Sequence, residues 1–172
     1  MRVVTSSRTG TDGLDLDAWI ATACALPAPS RRPGGEVEPY TRTTLHRDEQ
    51  KEVLLLHWQD GLRSAPHDHG PASGIVVLLR GSFTERLWRK AGRGVQLSSS
   101  RHYQAPARLP IERRDIHDML AEGGGVRLHI YTPSIRGMRV FDVAGRRTLV
   151  VDDTCGAWIP SQDHLVLSRQ DW

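Results

Sequence analysis

The chain has 172 residues and a mass of 19.2 kDa, which suits one domain and leaves little room for a second. Hydrophobic residues make up 38% of it and charged residues 25%, a balance that is typical of globular proteins and excludes a disordered chain. The net charge is +3, from 23 basic and 20 acidic residues. The basic residues are 21 scattered arginines and 2 lysines, which form no basic stripe or nucleic-acid motif, so a nucleic acid is not expected as a partner.

The first predicted element is a short helix near the N-terminus. Apolar residues recur at helical spacing over Leu14–Leu26, and Asp12 or Asp15 could cap the start of the helix. A loop rich in proline and glycine follows over Pro27–Gly35.

After this loop the pattern changes to short β-like runs bounded by turn residues, which predicts a sandwich or barrel of short strands. Leu109–Leu120 is ambiguous between loop and strand, and Gln162–Trp172 is a short tail with room for one strand that Trp172 could fold onto the barrel. The predicted strands are Tyr40–His46, Glu52–Trp58, Gly74–Arg80, Ser82–Trp88, Val126–Tyr131, Arg139–Val143 and Thr148–Asp152.

The cysteines and the N-terminus predict the cellular compartment. Cys24 and Cys155 are far apart and in no metal-type spacing, so neither a disulfide scaffold nor a cysteine zinc site is expected. No apolar run reaches the roughly 18–20 residues of a membrane span. Met1–Gly10 lacks the apolar segment of a signal peptide. We therefore expect a cytoplasmic protein with no membrane partner.

Three of the eight histidines form a candidate metal site. His67 and His69 are two residues apart, so on a strand both would point to the same face and could share one metal. His117 follows after a further stretch with strand character, and a small barrel can build a metal site in its mouth from such a set. On spacing alone, solvated loop histidines remain the alternative, and His102 or His129 could replace His117 as third ligand.

The sequence around these histidines resembles the cupins. Gly61, followed by the His67 and His69 pair and then by Gly81, is similar to the first cupin motif. His117 stands where the third cupin histidine is expected.

Within the cupins, the resemblance is to the cysteine dioxygenase branch, the thiol dioxygenases. Most cupins have a glutamate four or five residues after the second histidine, but here those positions are Ser73 and Gly74, and this loss is itself a mark of the branch. Further fragments resemble it in order and spacing between Tyr40 and Asp142. They are Tyr40-Thr41-Arg42, Pro66-His67-Asp68-His69-Gly70, and Leu128-His129-Ile130-Tyr131-Thr132-Pro133 followed by Arg139-Val140-Phe141-Asp142.

The resemblance implies a mainly β fold, a single cupin (jelly-roll) β-barrel with a short N-terminal helix. The implied organisation is a helix and loop over residues 1–35, a cupin barrel over 36–160 and a C-terminal tail over 161–172.

It also implies an iron enzyme with residues in three roles. Fe(II) would bind a small thiol and O2, both oxygen atoms would end on the sulfur, and L-cysteine, giving cysteine sulfinic acid, is the leading substrate because Arg42 can pair with its carboxylate. The implied roles are metal binding by His67, His69 and His117, substrate binding by Arg42 and Tyr40, and catalysis by Tyr131 with His129.

The chemistry of these residue types agrees with an iron enzyme that binds a thiol. Three neutral histidines leave a ferrous ion with its full charge, so the site favours an anionic ligand from the substrate, and a soft thiolate fits. Three histidines also accept nickel, zinc or copper, so the residue types alone leave the metal open.

Two positions depart from the family pattern. The cysteine that cross-links to the tyrosine in animal enzymes is replaced by Gly74, so Tyr131 should be a free phenol able to hydrogen-bond bound oxygen or sulfur. The usual serine two residues before His129 is Arg127. We expect Arg127 to fold back and pair with a carboxylate, the alternative being a cation at the site for a second acidic group on the substrate.

Other functions stay open at this point. One is a specialised-metabolism cupin oxygenase that acts on a cysteine-like thiol and goes beyond the sulfinate. Others are cupins that are not oxygenases, such as a sensor of a small acid or metal, or an isomerase or decarboxylase that uses zinc or manganese.

Overall fold

The computed structural model describes residues 15–29 and 38–172, which form one helix, nine strands and a short 3₁₀ turn. The predicted residues up to Leu14, with the possible cap Asp12, and most of the loop Pro27–Gly35 lie outside the described residues. In the described part, no helix is long and apolar enough to span a membrane. The elements are α1 Leu16–Ala25, β1 Tyr40–Arg47, β2 Glu52–Trp58, β3 Ser73–Ala91, β4 Gly94–Gln104, β5 Ala107–Ile111, β6 Ile116–Thr132, β7 Arg139–Asp142, β8 Arg147–Val151, the turn Asp163–Leu165 and β9 Val166–Asp171.

The strands form two antiparallel sheets. The larger sheet has six strands in the order β1-β2-β6-β3-β4, with β5 also paired to β3, and the smaller has the order β7-β8-β9. The mainly β prediction with one short N-terminal helix is therefore confirmed, but the two sheets form a sandwich rather than one closed ring of strands.

The helix covers the outer face of the larger sheet. Asp15 caps it by accepting a hydrogen bond from the Ala18 backbone N–H at 2.9 Å. Ala23 packs on outward-facing residues of β2 such as Val53 and Leu55, while Leu54 between them faces the inner core. Burial on both faces explains why β2 is a continuous apolar run rather than an alternating one.

The predicted strands Gly74–Arg80 and Ser82–Trp88 are one bent strand, β3. The pairing register with β6 shifts on either side of Gly81, which has a φ of +95°, and the first part of β3 also pairs with β5 while the second pairs with β4. The glycine that the sequence pattern treats as a strand end is thus a bulge that bends β3.

Other boundaries also differ from the sequence prediction. The ambiguous stretch Leu109–Leu120 contains the end of β5 and the start of β6, which runs on through the predicted strand Val126–Tyr131. β4 was not predicted, because most of its side chains are polar and exposed and no apolar alternation marks it.

The C-terminal tail adds a strand to the smaller sheet. β9 pairs with β8, and Trp172 donates a hydrogen bond from Nε1 to Thr148 Oγ1 at 2.9 Å. A Cβ added at Gly94 would overlap the Trp172 ring, so the tryptophan packs directly against the start of β4.

We predict that Gly81→Ala destabilises the fold by more than about 2 kcal/mol, because alanine disfavours a positive φ and its Cβ would overlap the Gly124 carbonyl oxygen. Gly92→Ala is the matched control, since Gly92 also has a positive φ (+59°) but no atom of the described residues lies within 4 Å of an added Cβ. The control should lose only about 1 kcal/mol. Urea unfolding of both variants measures the difference, and equal losses would contradict the packing argument.

Candidate metal centre

The predicted histidine pair lies on the connection between β2 and β3, which is pinned to neighbouring strands. The backbone N–H of His67 donates to the carbonyl of His117 at 2.9 Å, and that of His117 donates back at 3.0 Å. On the other side, the Asp68 N–H donates to the carbonyl of Arg139 at 3.0 Å. The connection is therefore held between β6 and β7, although it is not part of a named strand.

The fold brings the three predicted histidines together. His67, His69 and His117 are all buried, and each offers a ring nitrogen within 4.8 Å of those of the others. Their ring centroids are 4.8–5.1 Å apart. The alternative third ligands are placed differently, because the side chain of His102 is 55% exposed on β4 and His129 is hydrogen-bonded to Tyr131.

Hydrogen bonds set the orientation of two of the rings. His67 Nδ1 lies 2.9 Å from the carbonyl oxygen of Ala65, which can only accept, so Nδ1 carries the proton and Nε2 keeps its lone pair. His117 Nδ1 lies 2.7 Å from Glu85 Oε1, which has the same effect. Within the described residues, buried His69 Nδ1 has no hydrogen-bond partner.

The protonation states also suit a metal. Burial lowers the pKa of His67 and lowers the pKa of His69 and His117 well below the ordinary value. Neutral imidazole is the ligating form of histidine. Three buried neutral imidazoles, two of them with a fixed tautomer, fit a transition-metal ion.

The sequence did not reveal Glu85. It lies on β3, 32 residues before His117, and also accepts a hydrogen bond from the Tyr103 hydroxyl at 3.2 Å. No local sequence pattern indicates this contact, because only the pairing of β3 with β6 brings the two side chains together.

Two buried aspartates follow two of the histidines and anchor their backbone. Asp68 accepts hydrogen bonds from the Arg139 side chain, with Nε at 2.6 Å, and from the Arg139 backbone N–H at 3.1 Å. Asp118 accepts from Arg86 Nε at 3.0 Å and from the Trp88 indole at 2.7 Å, and it is also paired with Arg63. Neither carboxylate bonds to an imidazole, so Asp118 serves to fix β6.

Tyr131 and His129 lie beside the histidine cluster on β6. The Tyr131 hydroxyl is 2.8 Å from His129 Nδ1, and the Tyr131 ring centroid is 5.0 Å from that of His69. Burial raises the pKa of Tyr131 and lowers that of His129 well below its ordinary value, so both groups are neutral. Gly74 pairs directly with Tyr131, and a Cβ there would overlap the Ile130 carbonyl oxygen, which agrees with an unlinked phenol.

Tyr40 and Arg42 lie on another wall of the same cavity, which has a volume of about 40 Å³. The Tyr40 hydroxyl accepts a hydrogen bond from the Ala157 N–H at 2.7 Å. Arg42 donates from Nη1 and Nη2 to the carbonyls of residues 153, 154 and 155, at 2.9, 2.9 and 3.1 Å. Both side chains therefore hold the 153–157 segment, whose residues Gly156 and Ala157 line the cavity.

The surroundings of Arg127 differ from the expectation that it pairs with a carboxylate. It does not fold back onto a carboxylate: it lines the cavity, is 1% exposed, and makes no ion pair within the described residues. Its guanidinium carbon lies 5.6 Å from the centroid of the Trp58 ring and 5.3 Å from that of Phe83. Burial lowers the pKa of Arg127 to about 10, so it stays cationic at neutral pH.

The family described as cysteine dioxygenase type I matches residues 36–144, which is more than half of the chain. The chain belongs to the cysteine dioxygenase type I family. The match includes all seven predicted site residues, from Tyr40 to Tyr131.

Solved structures support the fold that is expected of this family. An uncharacterized conserved protein with a double-stranded β-helix domain from Klebsiella pneumoniae is 14% identical, over 81% of this chain and 99% of that one, with a TM-score of 0.53. Recombinant pro-11S globulin of pumpkin is 13% identical, over 64% of this chain and 30% of that one, with a TM-score of 0.52. A protein from Bacillus halodurans is 14% identical, over 64% of this chain and 89% of that one, with a TM-score of 0.50. At these identities the likeness concerns the fold alone, and it agrees with the predicted mainly β fold.

We predict that Glu85→Gln weakens metal binding by about 10- to 100-fold, because a neutral amide orients His117 less firmly than a carboxylate does. Glu122→Gln is the control, since Glu122 is exposed, does not line the cavity, and is paired with Thr84 and His102 rather than with a histidine of the cluster. Titration of each variant with Fe(II), Co(II) or Zn(II) against a chelator measures the affinity. An unchanged affinity in Glu85→Gln would remove Glu85 from the metal centre.

Proposed function

We propose that this member of the cysteine dioxygenase type I family is an Fe(II)-dependent thiol dioxygenase. It adds both atoms of O2 to the sulfur of a small thiol, with L-cysteine, giving cysteine sulfinic acid, as the first substrate to test. The observation that carries the proposal is the buried cluster of His67, His69 and His117 with no carboxylate beside it in the cavity, within the described residues. The two cysteines are free thiols, in keeping with a reducing cytosol as the site of action.

The charges of the cavity favour an anionic thiolate. His67, His69 and His117 are the residues that would hold the ion, and because they are neutral they offset none of its charge. When bound, a ferrous ion supplies open coordination positions at which a thiolate and O2 can be brought together. The surrounding apolar residues of the cavity, such as Leu54, Leu56 and Met119, exclude water from the reacting sulfur.

We expect a small substrate, because the cavity that the three histidines line is narrow. Tyr40 and Arg42 are proposed to form the substrate-binding wall, together with the 153–157 segment that their hydrogen bonds hold in place. A loss of either side chain would release this wall from the cavity.

Tyr131 is proposed as a hydrogen-bond donor to the substrate. Its hydroxyl has one proton, so it can donate toward the histidine cluster only if His129 carries the proton on Nδ1 and donates to the phenolic oxygen. His129 thus acts by fixing the direction of the phenol. Because the pKa of Tyr131 is raised, the group keeps this proton at neutral pH.

The first test is oxygen consumption by iron-loaded protein with a panel of thiols, together with identification of the product. Oxygen uptake that yields a sulfinate supports the proposal. Products beyond the sulfinate would indicate a different oxygenase, and absence of thiol-dependent uptake would favour a cupin that is not an oxygenase.

Replacement of any one of His67, His69 and His117 by alanine should strongly lower the iron content and abolish thiol-dependent oxygen uptake, because each contributes one ligand. His102→Ala serves as control, since it is exposed and outside the cluster. Iron content is measured by elemental analysis. Full iron and activity in His117→Ala would show that the third ligand is wrong.

Tyr131→Phe should lower turnover by about 10- to 1000-fold, because a preorganised donor is lost where charge develops. The iron content should stay unchanged, since the phenol is no ligand in this proposal. His129→Gln, which can still hydrogen-bond, should lower turnover less. Loss of iron in Tyr131→Phe, or an equal effect of both variants, would argue against these roles.

A further inference from the structure

Arg127 is a buried cation for which the described part of the chain provides no anion. It is 1% exposed, its Nε has no hydrogen-bond partner within the described residues, and no carboxylate lies within ion-pair distance there. Glu85 is bonded to His117 and Tyr103 and makes no ion pair with Arg127 in the described structure.

The other buried charges in the described residues are paired. Asp68 is paired with Arg139, and Asp118 with Arg63 and Arg86. Glu52, also buried, lies 3.5 Å from Arg47 and accepts a backbone N–H from Ile135. Arg127 departs from this pattern, and a buried charge without a partner is strongly unfavourable.

The packing of Arg127 compensates for its charge only in part. The ring faces of Trp58 and Phe83 attract a guanidinium, but they leave its N–H donors without acceptors. Because Arg127 lines the same cavity as the three histidines, its donors can be satisfied by a ligand that enters there.

The chemistry of the site selects a carboxylate. A guanidinium binds a carboxylate through two parallel hydrogen bonds, and no carboxylate of the described chain lines the cavity. The second arginine of the cavity, Arg42, already donates from both terminal nitrogens to three backbone carbonyls.

We propose that Arg127 binds the carboxylate of the substrate, which makes the substrate a small thiol carboxylate held between the three histidines and Arg127. This inference rests on the proposed function. Arg42 is then a positioning residue, which keeps the 153–157 wall in place while Arg127 recognises the acid. In this proposal Arg127, which stands in place of the family serine, binds the substrate carboxylate, whereas the family resemblance implies that role for Arg42.

The test compares L-cysteine with cysteamine, which differs from it only in the missing carboxylate. Binding of each thiol to the iron-loaded full chain is measured by calorimetry without oxygen, so that no turnover occurs. Arg127→Met should weaken cysteine binding by about 10- to 100-fold, the worth of a charge-assisted hydrogen-bonded pair. It should change cysteamine binding by less than about threefold.

Matched variants separate this role from others. Arg127→Gln is a second neutral variant in case the methionine variant does not fold, and Arg127→Lys, which keeps the charge, should retain part of the preference for cysteine. Arg42→Met should weaken both thiols by similar factors, because it loosens the cavity wall. Arg93→Met, in an exposed turn, should behave as wild type.

The outcomes distinguish the two proposals. If wild type binds no thiol, the proposed function fails. If wild type prefers cysteine and both neutral Arg127 variants keep that preference, the function stands and the inference about Arg127 is overturned. If Arg42→Met loses the preference for cysteine over cysteamine and Arg127→Met keeps it, Arg42 rather than Arg127 binds the substrate carboxylate.

Discussion

Two backbone hydrogen bonds between His67 and His117 hold the candidate metal centre together. They fix the β2–β3 connection to the start of β6, and so they bring side chains from distant parts of the chain into one cluster. The residue after each histidine, Asp68 or Asp118, is fully buried and tied to arginine. Each aspartate bonds to arginine rather than to a ring of the cluster and anchors the backbone that presents its histidine, so the ligand set is preorganised by the fold.

Charge is the second feature on which the site depends. The buried aspartates are paired with arginines outside the cavity. The cavity itself is lined by neutral histidines and two arginines, and no carboxylate of the described residues lines it. Such a cavity is electrostatically incomplete without an anion. A thiolate at a bound metal and a carboxylate at Arg127 would together supply the missing negative charge.

The long strands β3 and β6 position most of the groups around this cavity. β6 carries His117 at one end and Arg127, His129 and Tyr131 at the other, with the last three on one face because side chains alternate along a strand. β3 contributes Glu85 behind His117 and Gly74 opposite Tyr131. The bend at Gly81 allows one strand to serve both ends of the site.

The sequence alone determined the features that depend on local pattern or on motif order. Apolar runs marked β2 and both parts of β3, and helical spacing marked α1. The spacing of the histidine and LHxY-type fragments indicated the family, which the family match confirms, and predicted the members of the site. Each of these signals is a short run of residues or a spacing along the chain, and so it can be recognised without the fold.

Only the tertiary structure decided which partners these residues have. Glu85 is hydrogen-bonded to His117, which lies 32 residues later in the chain. Arg42 is hydrogen-bonded to the carbonyls of residues 153–155, which lie more than 100 residues later. Strand alternation places Arg127 on the same face as His129 and Tyr131, but no local pattern shows that the described residues around it offer no carboxylate. Alternation along a strand follows from backbone geometry, whereas the presence of a counter-ion depends on how several strands pack, and no local pattern records that.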